Sequence, residues 1–258
     1  GSDSYTVFDP DCVAASVRPG GKCETARTDS VLWSKKSQDH SSNITGSSVF
    51  DFDADGNAEA VYADECFARV YKGNTGEVIF SQYMSSCTWY ENPIVADVNL
   101  DDRAELVIPS NLNCPIVCGT GEIEFPDSAR PSVGVDAVFA GLRCDKATDC
   151  VSGVCDSGYC RCTADEQCCP AADAAKCMEV GYICMPSPSG TPGTGKTCRA
   201  SHPHRFAGIR VYHDFADRWV RSRPLWNQHA YSITNVNDDG TIPKTSAWVP
   251  NWKSTTPK

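Results

Sequence analysis

The sequence predicts an all-β protein of short antiparallel strands that carries a small disulfide-stapled module. Three observations predict it. Short runs rich in β-branched and aromatic residues, such as Ser48-Val-Phe50 and Ala60-Val-Tyr-Ala63, flank tight turns, which is the pattern of β-hairpins. Acid-rich turns recur: residues 51–59 read Asp-Phe-Asp-Ala-Asp-Gly-Asn-Ala-Glu, and residues 97–105 read Asp-Val-Asn-Leu-Asp-Asp-Arg-Ala-Glu. Ten of the sixteen cysteines crowd into residues 144–198.

Each acid-rich turn offers oxygen side chains at positions 1, 3, 5 and 9. Four such groups in one short loop repel one another unless a hard cation lies between them. Calcium takes about six to eight oxygens in flexible geometry. The first loop would hold Ca2+ through Asp51, Asp53, Asp55, the backbone carbonyl of Asn57, and Glu59. Gly56 allows the sharp turn because it tolerates positive φ. The second loop supplies Asp97, Asn99, Asp101, the carbonyl of Arg103, and Glu105. Asp102 takes the glycine position, and Asp visits the left-handed region more readily than most residues. An EF-hand needs its last acid at position 12, where these loops have Tyr62 and Ile108. A solvated acidic turn is the alternative, and the recurrence after 46 residues with similar flanks favours the cage.

A third copy lies at residues 235–243. Asn235, Asn237 and Asp239 occupy positions 1, 3 and 5, Gly240 sits at the turn, and Thr241 holds position 7. Position 9 is Pro243, which has no side-chain oxygen, so weaker binding is expected. A tight Asn/Asp/Gly turn is the alternative.

These residues resemble the FG-GAP repeat of integrin-type β-propellers and of large bacterial surface proteins. Residues 45–65 look like the core of one repeat and residues 93–111 like the next. Between them, Ala68-Arg-Val-Tyr71 and Glu77-Val-Ile-Phe80 flank the turn Lys-Gly-Asn-Thr-Gly, giving the outer hairpin of a four-stranded blade. The segments 208–213 and 223–240 resemble the closing part of bacterial FG-GAP regions. The resemblance implies β-propeller-type blades with a calcium loop between the first two strands of each. It is nearly silent on the partner, since propellers host many functions. Residues 1–143 and 199–258 would form this domain, interrupted by 144–198. Without the insertion about 203 residues remain, and blades need about 40–50 residues each. Two clear blades and a partial third are visible, so the chain is a partial or small propeller, with further blades from a longer chain or a partner.

Sixteen cysteines point to an oxidising compartment. Local pairing predicts Cys12–Cys23, Cys66–Cys87 and Cys114–Cys118. Within 144–198, apolar residues are too few to build a core, so disulfides must replace it. The adjacent Cys168-Cys169 pair gives the segment a loose resemblance to Dickkopf- and colipase-type modules. Zinc is the competing reading, but structural zinc wants Cys-x2–4-Cys pairs at two places, and these are lacking. The Gly-x-Gly-Lys196 stretch has no strand before it or helix after it, so it is not a phosphate loop.

The net charge of −10 argues against nucleic acid, and no apolar run approaches a membrane span. The expected function is a secreted or cell-surface, calcium-binding recognition and adhesion module with a protein or glycan partner. A calcium-dependent polysaccharide lyase is the enzymatic alternative, kept open by the arginines between residues 205 and 223. A structural spacer within a larger surface protein is the third. No Ser-His-Asp or Cys-His signature is visible. Of the histidines, His202-Pro-His204 offers a pair of metal ligands, and a loop end with two exposed side chains is the favoured alternative.

Overall fold

The computed structural model describes residues 4–9, 12, 30–39, 44–112, 118, 134–169, 179–214 and 217–251. These residues form an all-β protein of several antiparallel sheets.

The central sheet is a four-stranded meander of β3 (Ser48–Phe50), β4 (Glu59–Ala63), β5 (Phe67–Tyr71) and β6 (Val78–Tyr83). Its residues alternate between two different cores, as the two-residue repeat of a strand requires. Val61, Ala63, Ala68 and Val70 point to one side. Ala60, Tyr62, Phe67 and Tyr71 point to the other. Every residue of β4 and β5 is buried, so both faces of the sheet are covered.

The first face packs on a second sheet of order β14-β8-β7. Here β7 is Ile94–Ala96, β8 Glu105–Ser110 and β14 Gly208–Tyr212. Val95, Leu106 and Ile108 meet Phe52, Val61 and Val70 in this core. The third strand thus arrives about a hundred residues after the hairpin it joins, with Val211 opposite Val107. The cysteine-rich segment interrupts this sheet between its second and third strands.

The other face packs on that segment. Its sheet runs β10 (Cys155–Asp156), β11 (Tyr159–Cys162), β13 (Lys196–His202), β12 (Tyr182–Pro186), with β9 (Gly134–Val135) pairing β13. Phe139, Tyr182, Ala200 and the cystine sulfurs share one core with Tyr62, Phe67, Tyr71 and Tyr83. A two-stranded sheet, β1 (Ser4–Phe8) with β2 (Val31–Lys36), closes one side by placing Trp33 against Tyr71. Gly76, at φ +68°, lies beneath the Trp33 ring, where a Cβ would come within 2.5 Å.

Disulfides join Cys144–Cys155, Cys150–Cys160, Cys162–Cys184 and Cys168–Cys198, and Cys169 is also disulfide-bonded. Two cysteine triads with metal-like spacing, Cys144/Cys150/Cys160 and Cys162/Cys168/Cys184, consist of these bridged sulfurs, which are not thiolates and do not bind zinc. Outside the segment, Cys66 pairs with Cys118, 52 residues away. The expected Cys66–Cys87 and Cys114–Cys118 bridges are therefore corrected. The fold of the central sheet, rather than nearness in sequence, brings the two sulfurs together. The expected Cys12–Cys23 bridge falls on Cys23, outside the described residues.

Between the central sheet and the segment lies a buried ionic network. Arg69, fully buried, donates from Nε to Asp136 Oδ2 at 2.7 Å and from Nη2 to Gln38 Oε1 at 2.6 Å. It also pairs with Asp64 through Nη1. Ser81 Oγ donates to Asp136 at 2.6 Å, and the Cys66 and Phe67 amides donate to Asp64 Oδ1 at 2.8 and 2.7 Å. Asp136 follows β9, so this network fastens the cysteine-rich sheet to the central one.

His202 is in this core too. It is 1% exposed, packs edge-on to Phe67 and Tyr83, and meets the Met84 carbonyl through Nε2 at 2.8 Å. The exposed pair of histidines expected at 202–204 is thus half corrected, since β13 continues through His202. Burial pushes the His202 pKa down from 6.5 to about 4. Below pH 6.5 the unfolded chain takes up a proton that the folded one refuses, so stability is lost as pH falls toward 4. Asp39, pushed up to about 7 by burial and by Asp64, titrates in the opposite sense. Comparison with His202→Gln isolates the histidine. Wild type should lose up to about 3 kcal/mol more than the variant between pH 7 and pH 4. Urea unfolding at both pH values checks this, and equal losses would dismiss it.

Candidate metal loops

The loop 51–59 joins β3 to β4, and the loop 97–105 joins β7 to β8. Both hang from the same end of a hairpin, as the sequence predicts. Their internal hydrogen bonds match position by position. The amide at position 5 donates to the side chains at positions 1 and 3: Asp55 to Asp51 and Asp53 at 3.1 and 3.2 Å, and Asp101 to Asp97 and Asn99 at 3.2 and 3.1 Å. The amide at position 6 donates to position 1, Gly56 to Asp51 at 3.0 Å and Asp102 to Asp97 at 3.1 Å. The amide at position 7 donates to position 5, Asn57 to Asp55 at 2.7 Å and Arg103 to Asp101 at 2.9 Å. The amide at position 2 donates to the closing glutamate, Phe52 to Glu59 at 3.0 Å and Val98 to Glu105 at 2.8 Å.

The backbones match as well. Positions 4 and 6 are left-handed in both loops: Ala54 at 57° and Gly56 at 86°, Leu100 at 64° and Asp102 at 68°. Asp102 thus adopts the conformation that Gly56 adopts, as expected. Left-handed Ala and Leu are unusual, and the amide bonds to carboxylates hold them there.

These bonds turn carboxylates inward. Asp51, Asp53 and Glu59 each offer an oxygen within 4.8 Å of the others. Glu59 and Glu105 are almost fully buried. Burial raises the Glu59 pKa. Glu105 Oε1 is buried with no hydrogen-bond partner, and an orphaned buried carboxylate oxygen is costly unless a cation meets it. The donor sets are hard oxygens, which suit calcium. Asp51, Asp53, Asp55 and Glu59 would hold an ion in the first loop, and Asp97, Asn99, Asp101 and Glu105 in the second, each joined by a carbonyl from Asn57 or Arg103.

The third loop is built differently. The Thr241 amide and hydroxyl both donate to Asp239 Oδ1, at 3.0 and 2.6 Å, and Gly240 has φ +80°. Asn237 donates to the Thr241 hydroxyl at 2.9 Å. Asn237, Asp239 and Thr241 are therefore brought together. Asn235 is not among them. Its Nδ2 donates to the Ala230 carbonyl at 2.7 Å, and its Oδ1 accepts from the Ser232 amide at 3.0 Å. The side chain at position 1 closes a preceding turn.

Residues 219–223, noted in the sequence for their arginines alone, run past the first two loops. The Val220 amide donates to the Phe52 carbonyl at 2.9 Å, and the Val220 carbonyl accepts from the Ala104 amide at 3.0 Å. The Asp97 amide donates to the Arg223 carbonyl at 3.1 Å. Arg221 pairs with Asp102 at 2.6 Å, and Trp219 packs on Phe52 with ring centroids 4.7 Å apart. No local pattern in the sequence signals these contacts, because their partners are more than a hundred residues away.

The arginines of this region are engaged. Arg205 donates to the Leu112 carbonyl at 2.8 Å. Arg210 stacks on Phe206 and Tyr83. Arg218 bridges Asp214 and Asp145. Arg223 is buried and donates to the Val236 carbonyl at 3.1 Å. They tie loops and strands together.

No family model and no curated protein matches the chain. A solved structure to which it is similar is the crystal structure of the V. cholerae biofilm matrix protein Bap1, at 18% identity and a TM-score of 0.43. The match covers 87% of this chain and 23% of that one, so the chain spans less than a quarter of that protein's length.

Proposed function

We propose that this chain is a calcium-binding recognition and adhesion module that works outside the cell. The observation that carries the reading is the shared construction of the loops 51–59 and 97–105, with Glu105 Oε1 buried and unpaired. The two loops repeat one acidic spacing and one set of internal hydrogen bonds, and in the first the oxygens of Asp51, Asp53 and Glu59 converge as a bound ion would require. The disulfides support an oxidising, extracellular setting. Among the described residues, no helix is long and apolar enough to cross a membrane.

In this reading the central and second sheets are consecutive blades of β-propeller type, packed face to face, with the cysteine-rich segment replacing a neighbour on the far side. Further blades would come from a longer chain or a partner. The ions stiffen the hairpins, and the rigid body displays Trp89, Tyr90 and the loop 187–195 to a protein or glycan. Trp89 and Tyr90 are exposed, and exposed aromatics are common anchors of recognition. The engaged arginines favour this over a lyase, which would need them free along a groove.

Calorimetric titration of calcium into chelator-stripped protein tests the reading. Wild type should take up two calcium ions per chain. Asp53→Ala should remove one of them, whereas Asp239→Ala should leave both, because Asn235 is turned away from the third loop. Absence of calcium uptake by the wild type would end the proposal.

A further inference from the structure

The two loops share one wall. Phe52 is tied at both ends: its amide to Glu59 in the first loop, and its carbonyl to the Val220 amide. The carbonyl of the same Val220 receives the Ala104 amide, beside Glu105 in the second loop. Val220 thus joins, through the N–H and C=O of one residue, the Phe52 backbone that donates to Glu59 and the Ala104 amide next to Glu105. Around it, the Arg223 carbonyl holds the amide of Asp97, the position 1 residue of the second loop. Arg103 Nη1 donates to the Trp219 carbonyl at 3.3 Å, and Arg221 pairs with Asp102 at the turn position.

A loop without its ion has inward carboxylates that repel one another and push the loop open. Opening either loop must strain its bonds to residues 219–223. Once one ion is bound, that loop fixes the segment, and the ordering cost for the second is already met. From this wall we infer that Val220 is a positioning residue that couples the loops, so that calcium in one raises calcium affinity in the other. This rests on the calcium reading above.

The sign separates the inference from the obvious alternative. Two dications acting only through space repel, so without the wall the second ion would bind more weakly than the first. The wall requires the opposite. Coupling is also reciprocal: each loop must change the other by the same factor.

Calorimetry with calcium chloride on the full chain tests this with four proteins: wild type, Asp53→Ala, Asp101→Ala and Val220→Pro. Asp53→Ala isolates the second loop, and Asp101→Ala isolates the first. Each isolated loop should bind about tenfold more weakly than the same loop in wild type whose neighbour is filled, and by equal factors. Val220→Pro deletes the amide that reaches Phe52 and keeps the carbonyl that reaches Ala104. It should still bind two ions, now independently or with mutual weakening. If Val220→Pro does not fold, the two alanine variants decide the matter alone. Independent or mutually weakening sites in wild type overturn the coupling and leave the calcium reading standing. No binding at all in wild type overturns both.

Discussion

Arg69→Ala is expected to cost about 3–5 kcal/mol of stability, a large share of the roughly 5–15 kcal/mol a domain has. Asp64, Asp136 and Arg69 are all fully buried. Removing the cation strands two carboxylates in a region water does not reach. It also removes the Gln38 partner, and it loosens Asp136, through which the cysteine-rich sheet meets the central one. Arg69→Met separates charge from volume, because it refills most of the space and restores none of the pairing. It should therefore be nearly as damaging as alanine. Urea unfolding with the disulfides intact reads both, as a lower midpoint at unchanged slope. A methionine variant within about 1 kcal/mol of wild type would show that Arg69 acts as filler and that the carboxylates find other partners.

Chelation is expected to lower the melting temperature by roughly 10–20 °C. The proposed ions bind only the folded loops, and each adds RT ln(1 + [L]/Kd), about 2.7 kcal/mol when calcium stands a hundredfold above Kd. Two such sites give about 5 kcal/mol, and for a chain of this size each kcal/mol moves the midpoint by about 2–4 °C. The buried glutamates set the direction. Without an ion, Glu59 and Glu105 face other carboxylates with a single amide bond each to hold them against the repulsion. Calcium added back should restore the midpoint, and magnesium should restore less of it, because it demands a smaller, more regular octahedron. A melt unmoved by excess chelator would remove structural calcium from the account.

Much of the fold was legible because its signals are local. Expected hairpins around 51–59 and 97–105 became β3-β4 and β7-β8, and the expected outer hairpin around residues 72–76 became β5-β6. Loop geometry was also legible, down to the left-handed Asp102, since one nine-residue stretch contains all the groups that shape it. Asn235 shows the limit. Its spacing matched the first two loops, yet a turn at 230–232 competed for its amide and won.

Pairing across distance was not legible. Gly208–Tyr212 reads as a strand, but alternation in a strand names a face and not a neighbour, so its place beside β8 could not be read. Cys66 could have met any of several sulfurs, and Cys118 was chosen by the packing of the central sheet. The cysteine-rich segment read as an appendage with too few apolar residues to build its own core. In the structure it borrows one, laying Tyr182, Ala200 and its cystines on Tyr62, Phe67 and Tyr71.

The sequence by itself determined the strand class, the hairpins, the acidic loops and the oxidised cysteine cluster, because each is written in one continuous stretch of the chain. Tertiary structure alone decided which face the cysteine-rich segment covers, which sulfur Cys66 meets, that Arg69 lies buried between two carboxylates, and that Val220 joins two loops. Those outcomes depend on which surfaces exclude water together, and that is settled only when distant parts of the chain compete for the same neighbours.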